Sequence, residues 1–84
     1  MKTVHTKKLS ELPKGARGRV IRIDAKGNSR RRMLEMGLVP NTEVSVEGMA
    51  PMGDPIEVSI KGYRLSLRKE EAAQVVVEVP EIER

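Results

Sequence analysis

Three runs in this chain alternate apolar and polar residues with a period of two: Glu43-Val44-Ser45-Val46-Glu47, Ile56-Glu57-Val58-Ser59-Ile60 and Tyr63-Arg64-Leu65-Ser66-Leu67. Successive side chains of an extended strand point to opposite faces, so each run offers one face to a core and one to solvent. Tyr63 falls on the inward alternation with Leu65 and Leu67, which favours a core role over a surface anchor. Only Lys61-Gly62 lies between the second and third runs, the spacing of a two-residue hairpin. Such a turn asks for positive φ, which suits Lys61 less well than asparagine. Two more segments, Gly18–Ile23 and Gln74–Val79, are rich in β-branched residues and read as strands. In the first of them, Ile21 and Ile23 share one face, with Val20 and Arg22 on the other. Turn residues separate the runs, at Leu12-Pro13-Lys14-Gly15 and across Gly48–Pro55. About five strands this short and closely spaced are too few for a sandwich and predict a small, mainly β, SH3-like barrel, which closes most sheet edges. The predicted core is Val20, Ile21, Ile23, Leu34, Leu38, Val44, Val46, Ile56, Val58, Ile60, Leu65, Leu67, Val75 and Val77.

One segment breaks the β pattern. Ser29-Arg30-Arg31-Arg32-Met33-Leu34-Glu35-Met36-Gly37-Leu38-Val39-Pro40 reads as a short α-helix over about residues 29–36 with its own start and stop. Asn28 or Ser29 supplies a capping oxygen for the free N–H groups of the first turn. Gly37 can leave the helix in the left-handed conformation, with Leu38 folding back on Met33, and Pro40 prevents resumption. The helix is too short to be stable alone and has Met33, Leu34 and Met36 to pack with. Three arginines in a first turn oppose the helix dipole, and a local rule broken this way points to function. A second, one-turn helix is expected near residues 68–73.

The 84 residues suffice for one domain. Residues 1–8 read as a flexible N-terminal tail, 9–80 as the barrel and 81–84 as a loose C-terminal tail. No apolar run approaches the roughly 18 residues of a membrane span, and the start of the chain has no apolar core of a signal peptide. The absence of cysteine excludes disulfides and thiolate metal sites, which favours a cytoplasmic setting. Charge is uneven: residues 1–32 hold 11 Lys/Arg and 2 Asp/Glu, a net of +9, whereas the remainder is acidic. Such a basic part suits an acidic partner, unless folding mixes the two parts.

Nothing in the chain supports catalysis. His5 is the single histidine and sits in the expected tail, so no serine has a plausible base and no nitrogen-rich metal site can form. No phosphate-binding glycine loop is present. Tyr63 is the single aromatic residue, too few rings to stack a nucleic-acid strand, so no nucleic acid is expected as a partner. No cofactor is expected. Oxygen ligands from Glu47, Asp54 or Glu57 suffice at most for weak binding of a divalent ion.

Four segments together resemble FeoA-type proteins. They are Leu9-Ser10-Glu11-Leu12-Pro13-Lys14-Gly15, Arg31 through Val44, Ala50-Pro51-Met52-Gly53-Asp54-Pro55-Ile56-Glu57-Val58, and Gly62-Tyr63-Arg64-Leu65-Ser66-Leu67-Arg68. The match runs from Leu9 to Val79. Asn41 stands where the family often has glycine, and asparagine tolerates the same left-handed backbone. Methionines replace leucines at Met33, Met36 and Met52 at similar volume. The resemblance implies a cytosolic SH3-like barrel that assists a FeoB-type ferrous iron transporter by contact with its cytosolic GTPase domain, and touches the membrane only through it. With its poor ligand set, the chain is expected to carry no iron itself.

Two places are the candidates for that contact. Arg30, Arg31 and Arg32 fan across a wide arc of the helix and suit forked bonds to carboxylates. The Ala50–Pro55 loop is stiffened by two prolines, and Met49 beside it and Met52 within it offer adaptable apolar contact. The plain alternatives are a solubilising face and a rigid connection between strands. Two other functions compete: a metal-responsive regulatory SH3-like domain, which would need a helix-turn-helix unit that is not encoded, and an RNA- or ribosome-binding barrel, whose affinity would fall steeply with salt.

Overall fold

The computed structural model describes residues 4–80. Six antiparallel strands form one sheet: β1 Val4–Lys8, β2 Arg17–Ile23, β3 Glu43–Met49, β4 Ile56–Ile60, β5 Tyr63–Leu67 and β6 Val75–Pro80. A 3₁₀ turn at Leu9–Glu11 follows β1, helix α1 spans Gly27–Glu35 between β2 and β3, and helix α2 spans Lys69–Ala72 before β6. The strand order is β1-β6-β2-β3-β4-β5. The sheet does not close on itself: among the described residues no ladder joins β1 to β5, so the barrel keeps two edges.

β1 corrects the expected tail. Val4–Lys8 pairs with β6 in continuous register, from Val4 opposite Pro80 to Lys8 opposite Val76. Exposed lysines on an edge strand discourage a further chain from adding to it, and Lys7 and Lys8 are both exposed. β1 also delivers Leu9 to the interior, where it is fully buried together with Leu12. The expectations for residues 1–3 and 81–84 lie outside the described residues.

The interior joins both sheet halves through Val20, Ile23, Met33, Leu38, Val44, Val46, Ile56, Val58, Ile60, Leu67, Val75 and Val77. Leu34 and Leu65 pack against this cluster half-buried. Ile21, expected inside, is 37% exposed. The cause is a β-bulge: Val20 faces Val77 and Arg22 faces Val76, so Ile21 is an extra residue with no partner on β6. The extra residue shifts the alternation by one, and Val20 and Ile23 both point inward across it. Beside the bulge, the Val20 N–H donates to the Thr42 carbonyl at 2.8 Å and the Asn41 N–H donates to the Val20 carbonyl at 2.7 Å. These bonds lead the chain from α1 into β3, with Asn41 at φ 77°. The hairpin between β4 and β5 is the expected two-residue turn, with Lys61 at φ 48° and Gly62 at φ 88°.

Candidate functional site

α1 starts two residues earlier than expected. Its N-cap is Lys26, with no side-chain bond, so neither Asn28 nor Ser29 caps it. Gly27, Asn28 and Ser29 fill the first turn. The arginines therefore sit two residues further in, past the first turn, and Arg32 lies in the last turn, where the dipole favours a cation. The conflict with the dipole inferred from the sequence is largely removed by this shift.

The helix ends as its sequence predicts. The Leu38 N–H donates to the Met33 carbonyl at 3.1 Å and the Gly37 N–H to the Leu34 carbonyl at 3.0 Å, the paired bonds of a Schellman ending. Gly37 has φ 107°, and Met33 and Leu38 are both fully buried.

Tyr63 is not a core residue. It is 46% exposed, and its hydroxyl donates to the Met36 carbonyl at 2.6 Å. As the first residue of β5 beside a tight turn, it stands at the rim of the sheet, and its ring spans from there to the end of α1. A tyrosine hydroxyl seeks a polar partner when its ring is partly covered, and a helix C-terminus offers unpaired carbonyls.

The three arginines have different surroundings. Arg32 forms an ion pair with Glu71 of α2. The same carboxylate accepts the Arg68 N–H at 2.8 Å, so Glu71 closes the first turn of α2 while holding α1. Arg30 and Arg31 are exposed and have no ion-pair partner among the described residues. With Met33 facing the core and about 100° between successive residues, Arg31 lies about 160° from Met33, on the outer face of the helix.

Met52 is 89% exposed at the tip of the β3–β4 connection. Met49 is 44% exposed, and lies in β3 opposite Ile56 rather than in the loop. The loop is ordered by its own bonds, Ala50 N–H to the Pro55 carbonyl at 3.0 Å and Gly53 N–H to the Ala50 carbonyl at 2.7 Å. Asp54 accepts the Lys69 N–H at 3.0 Å, which ties the loop to the start of α2. An open cleft lined by Ser10, Asp54, Arg68, Lys69, Glu70 and Ala73 lies at this junction. The helix face and the methionine loop are thus separate features attached to α2 from two sides, through Glu71 and through Asp54.

Two of the three carboxylates considered for a divalent ion, Glu47 and Asp54, are engaged elsewhere. Glu47 accepts the Ser59 hydroxyl at 2.7 Å and lies 4.0 Å from Arg64, and Asp54 is held by α2. Among the described residues no three His, Asp or Glu side chains converge.

Sequence reasoning missed the two residues that anchor α1. Glu71 had a signal in its spacing from Arg68, which resembles a capping box. Tyr63 had one in its polar tip, outweighed by the alternation of β5.

The architecture is that of a small SH3-like β domain that presents a helix and a loop on its surface. The chain belongs to the FeoA family: the family model described as FeoA domain matches residues 7–79. It is 42% identical to a FeoA-like protein of Clostridium acetobutylicum, with a TM-score of 0.85, covering 94% of this chain and 92% of that one. A Stenotrophomonas maltophilia FeoA, solved with zinc and described as an SH3 domain protein, is 34% identical with a TM-score of 0.72, covering 92% of this chain and 88% of that one. A Porphyromonas gingivalis Fe(2+) transport protein A/Fe(2+) transporter FeoB fusion protein is 40% identical over 72 residues. That match takes in 86% of this chain and 8% of the fusion, so the chain spans a small fraction of the curated relative's length.

Proposed function

We propose that this protein serves ferrous iron transport as a cytoplasmic accessory that docks on the GTPase region of a FeoB-type transporter. The observation that carries this reading is the fusion: a relative with 40% identity is part of the same polypeptide as a FeoB transporter. Two domains on one chain are held at high effective concentration, which favours a working contact between them. The docking cations are the exposed Arg30 and Arg31, which have no ion-pair partner among the described residues, and Met52 is an adaptable apolar contact. No reaction is assigned to the chain.

The test is a calorimetric titration of this chain into the cytosolic GTPase region of a FeoB-type transporter, with GDP and with a non-hydrolysable GTP analogue. Association is expected in at least one nucleotide state. The double variant Arg30→Glu, Arg31→Glu should weaken it at least tenfold with an unchanged circular dichroism spectrum, since placing like charges across an interface costs several kcal/mol. No association in either state, or full affinity in the double variant, overturns the assignment.

A further inference from the structure

We propose that Tyr63 and Arg32 are positioning residues for the docking helix: they fix α1 on the sheet so that the exposed Arg30 and Arg31 are presented in one orientation. This rests on reading α1 as the docking element.

α1 has little of its own to hold it. Its N-cap makes no side-chain bond, its first turn contains no acid, and Met33 is its single buried residue. A helix of 9 residues does not persist without tertiary support. That support is concentrated at the far end. Met33 and Leu38 enter the core, and the Tyr63 hydroxyl donates to Met36, a carbonyl at the C-terminal end of the helix, where acceptors lack helical partners. Met36 and Tyr63 are 27 residues apart, so the bond ties the helix to β5 across the fold. Gly37 makes the approach possible, because a β-carbon there would stand 2.7 Å from the Tyr63 hydroxyl oxygen. Arg32 makes the second tie, to a Glu71 carboxylate already fixed by the α2 backbone. Neither tie uses Arg30 or Arg31. A surface whose charges are held before encounter loses less freedom on binding, which is how a residue outside the contact raises affinity.

The experiment has one arm on the free chain and one on the complex. Backbone amide exchange by NMR compares wild type with Tyr63→Phe, which keeps the ring, and Arg32→Gln. Each variant should speed exchange of α1 amides by about tenfold, the mark of easier local opening, with β3 and β4 amides unchanged. Arg32→Lys, which keeps a cation opposite Glu71, should restore protection. In the second arm, Tyr63→Phe should weaken association with the GTPase region by about threefold to tenfold. Combined with Arg31→Gln, its effect should be smaller than the product of the two separate losses, because both act through one helix. Unchanged α1 exchange in both variants overturns the proposal, and so does a fully multiplicative loss, which would make Tyr63 an independent contact. If wild type fails to bind the GTPase region, the docking assignment falls, while the exchange arm still decides whether these residues hold α1.

Discussion

At Gly37 two demands meet on one residue. The backbone takes φ 107°, and an added β-carbon would lie 2.7 Å from the Tyr63 hydroxyl oxygen and 3.0 Å from Ile60 Cδ1. Either demand alone favours glycine: the first because left-handed backbone costs other residues about 1–2 kcal/mol, the second because an added β-carbon would push the Tyr63 hydroxyl off the Met36 carbonyl and crowd the buried Ile60. Gly37→Ala is therefore expected to destabilise the domain by about 2–4 kcal/mol, read from the midpoint of urea unfolding. The left-handed requirement at Gly37 was legible in the sequence, from its place between a helix and a proline, and so was that at Lys61, from the hairpin spacing. The tyrosine above Gly37 was not. Period-two alternation places Tyr63 inward with Leu65 and Leu67, but alternation describes Cβ directions in the middle of a strand. At the first residue beside a turn, a long ring with a polar tip can follow its hydrogen bond instead.

At the scale of elements, β2 and β1 mark where pattern reading stops. The extra residue Ile21 leaves no trace in composition, since Val20, Ile21 and Ile23 are all strong strand formers. A bulge is set by how two strands meet, and the partner β6 lies more than fifty residues away in the chain. The consequence is measurable in a pair of variants. Ile21→Thr should change stability by no more than about 0.5 kcal/mol, whereas Ile23→Ala should cost about 2–4 kcal/mol, both by chemical unfolding. Equal costs would mean that the alternation runs unbroken through β2. β1 was missed for a different reason. His5-Thr6-Lys7-Lys8 carries no apolar face, because this strand is held by its backbone pairing with β6 and by the Leu9 that follows it. By contrast β3, β4, β5 and α2 were legible, since each combines a regular pattern with a turn at its ends. The candidate contact residues were legible as charged or apolar singularities; which arginine is committed to Glu71 depends on where α2 packs, and that is long-range information.

For the whole molecule, folding partly cancels the charge imbalance of the sequence. Arg19 pairs with Glu78 and Arg32 with Glu71, joining the basic first part of the chain to the acidic second, while Arg22 pairs with Asp24. Arg30 and Arg31 remain exposed outside these pairs. Contact through them is expected to depend on long-range attraction, which salt screens over about 10 Å at 0.1 M. Raising NaCl from about 0.05 M to about 0.5 M should slow association with the GTPase region by about tenfold and alter dissociation far less, as read by stopped-flow fluorescence. A rate insensitive to salt would assign the contact to apolar residues such as Met52. The ladder between β1 and β6 sets Val4 directly opposite Pro80. Whichever of these two strands carries a covalent tether, the domain would therefore hang from the same corner, and the swing allowed by a linker would be nearly identical for attachment ahead of β1 or after β6.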